Sequence, residues 1–188
     1  MTTEATAPLL SDAQRHALVA LARAAVDAQV TGARLPDPPA IPLPDASGVF
    51  VTVTSHDELR GCLGTLACPP GHLADEVVRC AADAASRDPR FDPVAPEELP
   101  DLGVEVSVLG PLETIDPHAP GAVVVGRHGL VVEQGRRRGL LLPQVATEWG
   151  WNAEQFLRQT CVKAGLAPDA WQHGAEVSRF SADVFGGD

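Results

Sequence analysis

Two runs of alternating residues, 48–54 (GVFVTVT) and 59–66 (LRGCLGTL), stand four residues apart, and this spacing constrains the fold more than any other feature. Valines at 49, 51 and 53 recur with the period of a half-buried strand. The polar link 55–58 reads as a hairpin turn, which makes the two strands antiparallel neighbours. Residues 103–109 alternate as cleanly, with Val104, Val106 and Val108 on one face and Glu105 and Ser107 on the other. Further short strands are predicted at 122–125, 130–134, 139–142 and 176–185, with turns in GRHG and GRRRG. Strands that come in adjacent pairs, without a helix between each, indicate an α+β fold, a largely antiparallel sheet flanked by helices.

The helices carry their own signals. Ser11 opens one as half of a capping box with Gln14; Leu18, Leu21, Ala22, Ala25 and Gln29 follow at helical spacing, and Gly32 is the stop. A second is predicted over 71–87, where Leu73, Val77, Cys80, Ala81, Ala84 and Ala85 form an apolar stripe that Pro89 and Pro93 terminate. After a helical turn near 96–99, two consecutive helices are predicted at 143–149 and 152–164, broken at Gly150 and recapped by Asn152. Residues 34–47 hold five prolines and form an extended connector.

Chemistry concentrates in LRGCLGTL. Strand alternation puts Arg60 and Cys62 on one face, and a guanidinium beside a thiol favours the thiolate. Glycines weaken a strand, so Gly61 and Gly64 need a reason: they let a ligand or another backbone approach the sulfur. The alternative is a structural cysteine in a core strand. As nucleophile or redox-active atom Cys62 needs a base, and His128, in the GRHG turn, is the best candidate. Glu105 and Ser107 add polar groups on a strand face. Asp88 and Arg90 form either a rigid loop beside the same site or a structural pair. Lys163, the single lysine among 14 basic side chains, reads as an anion contact or as a cation near a helix C-terminus.

The remaining composition excludes more than it assigns. A net charge of −11 argues against nucleic-acid and anionic-membrane partners, and the run Arg136–Arg138 reads as a solvated hairpin tip. His56, Cys62, Cys68, His72 and Cys80 lie close in sequence, but five residues separate Cys62 from Cys68, unlike zinc-site spacing; no metal is expected. No phosphate-binding loop, serine elbow or HExxH sequence occurs. An N-terminus without a basic and apolar leader, and no apolar run long enough to span a bilayer, predict a cytoplasmic protein whose four cysteines are thiols.

LRGCLG resembles the LRGCIG signature of the AMMECR domain family, with Leu63 in place of the usual isoleucine. The likeness continues in order through GVFVTV, DPRFDPV at 88–94, EVSVLGPLE at 105–113, GRHGLVV at 126–132, LLPQVA at 141–146, GWN at 150–152 and KAG at 163–165. It implies a single AMMECR-type domain over 12–184 behind a terminal tail, 1–11, with a larger and a smaller lobe and a cleft between them near the LRGC strand. Arg60, Gly61, Cys62, Asp88, Arg90, Glu105, His128 and Lys163 each fall in a matching block. The resemblance implies joint action with Memo-like proteins, which resemble extradiol dioxygenases, and with radical S-adenosylmethionine proteins, the AmmeMemoRadiSam grouping. It names no cofactor. Two function classes follow: a thiol-dependent enzyme acting on a small molecule or a protein, and a non-catalytic ligand-binding or adaptor domain.

Overall fold

The computed structural model describes residues 9–187, which fall into two compact units. The first comprises the chain up to Gly110 and the residues from Asp183 onward; the second is Pro111–Ala182. The first holds α1 (Asp12–Thr31), β1 (Gly48–Ser55), β2 (Glu58–Thr65), α2 (Leu73–Ser86), a 3₁₀ turn at Pro96–Asp101 and β3 (Leu102–Leu109). The second holds β4 (Glu113–Thr114), β5 (His128–Gln134), β6 (Arg137–Leu141), α3 (Pro143–Glu148), α4 (Ala153–Lys163) and most of β7 (Glu176–Gly187), whose last residues return to the first unit. Strand order is β2-β1-β3-β7 in the first unit and β6-β5-β7 in the second, with β4 also on β7; the mixed α+β architecture with an antiparallel sheet flanked by helices is as expected.

Local chemistry accounts for the elements of the first unit. The Ser11 hydroxyl accepts from the Gln14 backbone N–H at 3.4 Å while the Gln14 side chain accepts from the Ser11 N–H at 2.8 Å, and Gly32 closes α1 at φ 71°. Leu18, Leu21, Ala22 and Ala25 are buried as their spacing requires; Gln29 is exposed, and Val26 belongs to the buried face. Much of the expected tail, 1–8, lies outside the described residues, but Leu10 within it is 1% exposed and joins the core. Every residue of the α2 stripe is buried. The β1–β2 hairpin closes through His56 and Asp57, at φ 51° and 65°, the left-handed pair of a two-residue turn. The valines of β1 and β3 meet α1 and α2 on one sheet face, which leaves Phe50, Thr52, Cys62, Glu105 and Ser107 on the other.

Two expectations in the second unit are corrected, and one strand is added. Residues 122–125 form no strand: the Val124 N–H donates to His128 Nδ1 and its carbonyl accepts from the His128 N–H, so the valines are held in turns. β6 starts at Arg137, because Gly135 at φ 62° closes a two-residue loop and pairs Arg137 with Gln134 and Arg138 with Glu133. β4, two residues long, carries too little alternation to be foreseen. Here Leu130, Val132, Phe156, Leu157 and Val177 form the core. Among the described residues, no helix is long and apolar enough to cross a membrane.

Candidate functional site

Cys62 sits mid-strand on β2, opposite Thr52 on β1, and Thr52 in turn is opposite Glu105 on β3. The three side chains form a row across the polar face of the first unit. The Thr52 hydroxyl donates to the Cys62 sulfur at 3.3 Å. Thr52 was not legible as a neighbour of the thiol. Counting back from the hairpin turn puts it opposite Gly61, but an irregularity between Val53 and Thr54 shifts the pairing by one residue.

β2 is an edge strand, and the peptide of Cys62 faces its free edge. Two side chains of the DPR turn occupy that edge. Asp88 Oδ2 accepts from the Cys62 N–H at 2.9 Å, and Arg90 Nη2 donates to the Cys62 carbonyl at 3.4 Å. Arg90 also donates to Asp88 through Nε at 2.9 Å, Nη2 at 2.7 Å and its backbone N–H at 3.1 Å. Asp88 is 4% exposed, and Arg90, with two backbone N–H donors, holds its carboxyl well below the usual range despite the opposing effect of burial. The Arg90 guanidinium is raised, first by its hydrogen bond to Asp88, and its contact with Cys62 is to the backbone carbonyl.

Arg60 shares the face of Cys62, yet its guanidinium turns elsewhere. It donates to both carboxylate oxygens of Glu98, at 2.7 and 3.0 Å, and to the carbonyls of Asp92 and Pro93, at 2.7 and 3.3 Å. A planar fork finds more partners in that loop than beside a sulfur. The two glycines have packing reasons. A Cβ at Gly61 would overlap the Ala84 carbonyl oxygen of α2, and one at Gly64 would overlap the Phe50 ring and the Val49 carbonyl oxygen. The approach that Gly61 permits is thus of a helix backbone.

Glu105 is half-buried, and burial raises its pKa; among the described residues no side chain donates to it. Ser107, one row along, is 3% exposed. His128 and Lys163 belong to the second unit. His128 Nδ1 accepts from the Val124 N–H at 3.1 Å, which leaves the ring proton on Nε2, and its pKa is lowered by burial, then by Arg179 and Arg127. Lys163 stands exposed in the last turn of α4, where a cation offsets the helix dipole. Of the other thiols, Cys80 and Cys161 are buried, and burial pushes Cys80 up to about 11 and Cys68 up as well. Among the described residues, no three His, Cys, Asp or Glu side chains gather as metal ligands would.

The comparisons agree with this architecture. The AMMECR1 family matches residues 19–185, and the chain belongs to that family. It is 48% identical to a protein of Methanothermobacter thermautotrophicus, covering 95% of this chain and 96% of the relative. Identity is 43% with a protein of Methanosarcina barkeri, over 94% of this chain and 92% of that one. The crystal structure of uncharacterized protein PH0010 from Pyrococcus horikoshii superposes with a TM-score of 0.83 at 42% identity, covering 94% of this chain and 93% of its own.

Proposed function

We propose that the Cys62–Thr52–Glu105 row is a thiol site acting on a small molecule or a protein, with Cys62 as nucleophile, Thr52 orienting the sulfur and Glu105 supplying a carboxyl at the far end of the row. Asp88 and Arg90 are positioning residues that fix the peptide carrying the thiol. The observation that supports this reading is the 3.3 Å contact from Thr52 to a half-buried sulfur whose own peptide is bracketed on both sides. Burial raises the Glu105 carboxyl above its ordinary value, the direction that makes it a better proton acceptor than an exposed one. Joint action with Memo-like and radical S-adenosylmethionine proteins, in the cytoplasm, belongs to the same proposal, and what supports it is the family resemblance of the sequence blocks.

A second reading, ligand or partner binding without turnover, draws on the packing of Gly61 and Gly64 and on the pairing of Arg60 with Glu98, which leave fewer groups for catalysis. Competitive alkylation of the four thiols across pH tests the first reading. Cys62 is expected to label ahead of Cys80 and Cys161, and Glu105→Gln to move its pH profile; labelling of Cys62 no faster than Cys80 would remove the nucleophile. An untargeted metabolite comparison of wild type with Cys62→Ser then separates the readings: a product formed only by wild type supports turnover, and a ligand retained unchanged supports binding.

A further inference from the structure

A second feature stands apart from the thiol row, in the sequence Trp149-Gly150-Trp151. Gly150, at φ 65°, turns the chain sharply between α3 and α4: its N–H donates to the Thr147 carbonyl and the Trp151 N–H to that of Ala146. The turn brings the two indoles face to face, 6.0 Å between centroids and 15° from parallel. Trp151 is anchored by packing against the core of the second unit, and Trp149, lying on it, is 70% exposed. The chain has three tryptophans and no tyrosine, so two of its three largest aromatic surfaces are stacked at one exposed corner.

Beside Trp151 lies a cleft of about 390 Å³, lined further by Asn152, Glu154, Gln155, Arg158 and Gln159. Its polar groups have unused capacity. Asn152 and Gln155 use their side-chain oxygens to cap α4, which leaves both amide NH₂ groups for other partners. Glu154 and Arg158 stand four apart in the order that favours an ion pair, yet among the described residues they pair neither with each other nor with anything else, and neither does the Gln159 side chain.

We infer that this cleft binds a neutral polyhydroxylated ring, a saccharide, whose apolar C–H face lies against indole. One carboxylate and one guanidinium cancel in charge, so an anion meets Glu154 and a cation meets Arg158 unfavourably. A proline-rich peptide presents mainly carbonyl acceptors and leaves the Glu154 carboxylate unmatched. A hydroxyl both donates and accepts. Vicinal hydroxyls match planar groups that offer two polar atoms side by side, which describes Glu154, Arg158 and Gln159, while Asn152 and Gln155 add amide donors. The volume is of the size that ligand pockets occupy.

The inference is independent of the Cys62 reading. It is tested by titrating ¹⁵N-labelled protein with cellotriose, maltotriose and triacetylchitotriose while following the three indole N–H resonances. At least one trisaccharide should move the Trp149 and Trp151 signals saturably, with a Kd of about 0.1–10 mM, and leave Trp171 in place. By calorimetry, Trp149→Ala and Arg158→Ala, both at exposed positions, should each weaken binding by about tenfold or more, and Cys62→Ser should bind as wild type does. No saturable shift with any of the three sugars would overturn the inference. So would undiminished binding by both variants, or a response confined to a proline-rich peptide or to inorganic phosphate in the same titration.

Discussion

Gly61→Ala adds one methyl group at the place where β2 lies against α2. The new Cβ would overlap the Ala84 carbonyl oxygen and come within 3.1 Å of its carbonyl carbon. These are backbone atoms of a helix whose Val77, Cys80, Ala81 and Ala84 are buried, so no rotamer change relieves the contact and strand or helix must shift. Overpacking of this kind costs about 1–3 kcal/mol, and an overlap with backbone belongs at the upper end. Alanine recovers about 0.5–1 kcal/mol over glycine in chain entropy, which leaves a net loss of about 2 kcal/mol. For a chain of this length that lowers the thermal midpoint by about 4–8 °C. Urea unfolding should show a lower midpoint at unchanged slope. Gly64→Ala should cost a comparable amount, because a Cβ there overlaps the Val49 carbonyl oxygen as well as the Phe50 ring, and only the ring can turn away. A Gly61→Ala protein within about 0.5 kcal/mol of wild type would refute the packing account and return the glycine to a role at the thiol.

Asp88→Asn keeps the shape of the bracket but removes its charge. A carboxyl held below its unfolded-state value contributes stability that is present above about pH 4 and lost as pH falls through the folded-state value. The variant should therefore be less stable than wild type at neutral pH, with the gap narrowing in acid; parallel urea midpoints across that range would contradict the assignment. Arg60→Ala removes bonds to Glu98 and two carbonyls and should cost about 1–3 kcal/mol, and once Arg60 is gone Glu98→Gln should add little in a double-mutant cycle; additive losses would mean the pair is not coupled. His128 should titrate below about 6.5 with its proton on Nε2 in ¹⁵N spectra. Because that pKa is lowered, the contribution of His128 is present above the unfolded value and declines as pH drops beneath it. A midpoint at or above that of a free histidine would show that burial and the neighbouring arginines do not act on it.

What was legible in the sequence is what short-range physics decides. The capping box at Ser11, the cap at Asn152, the glycine stop at Gly32 and the apolar stripe of α2 depend on residues close in sequence, and each stands where its spacing puts it. Strand alternation likewise put Arg60 with Cys62, and Glu105 with Ser107, on shared faces. Where a side chain goes after leaving its strand depends on groups far along the chain: Glu98, which takes the Arg60 guanidinium, is 38 residues away. A run of three valines at 123–125 carries a β signal, but hydrogen bonds to His128 hold it in turns.

The same division bears on the thiol. Asp88, Pro89 and Arg90 look in sequence like a self-contained turn, and in part they are one, since Arg90 bonds Asp88 through three nitrogens. Their second task becomes visible only with β2 placed at the sheet edge. There the carboxylate supplies the acceptor and the guanidinium the donor that a neighbouring strand would have supplied to Cys62. An edge residue so bracketed gives up its freedom to pair with another chain and gains a fixed peptide, while its side chain stays on the polar face opposite Thr52. A structural cysteine in an apolar core has no need of such a bracket; Cys80 and Cys161, buried in helices, have none. That contrast separates Cys62 from Cys80 and Cys161 and is the physical reason that the proposed chemistry is assigned to it rather than to either of them.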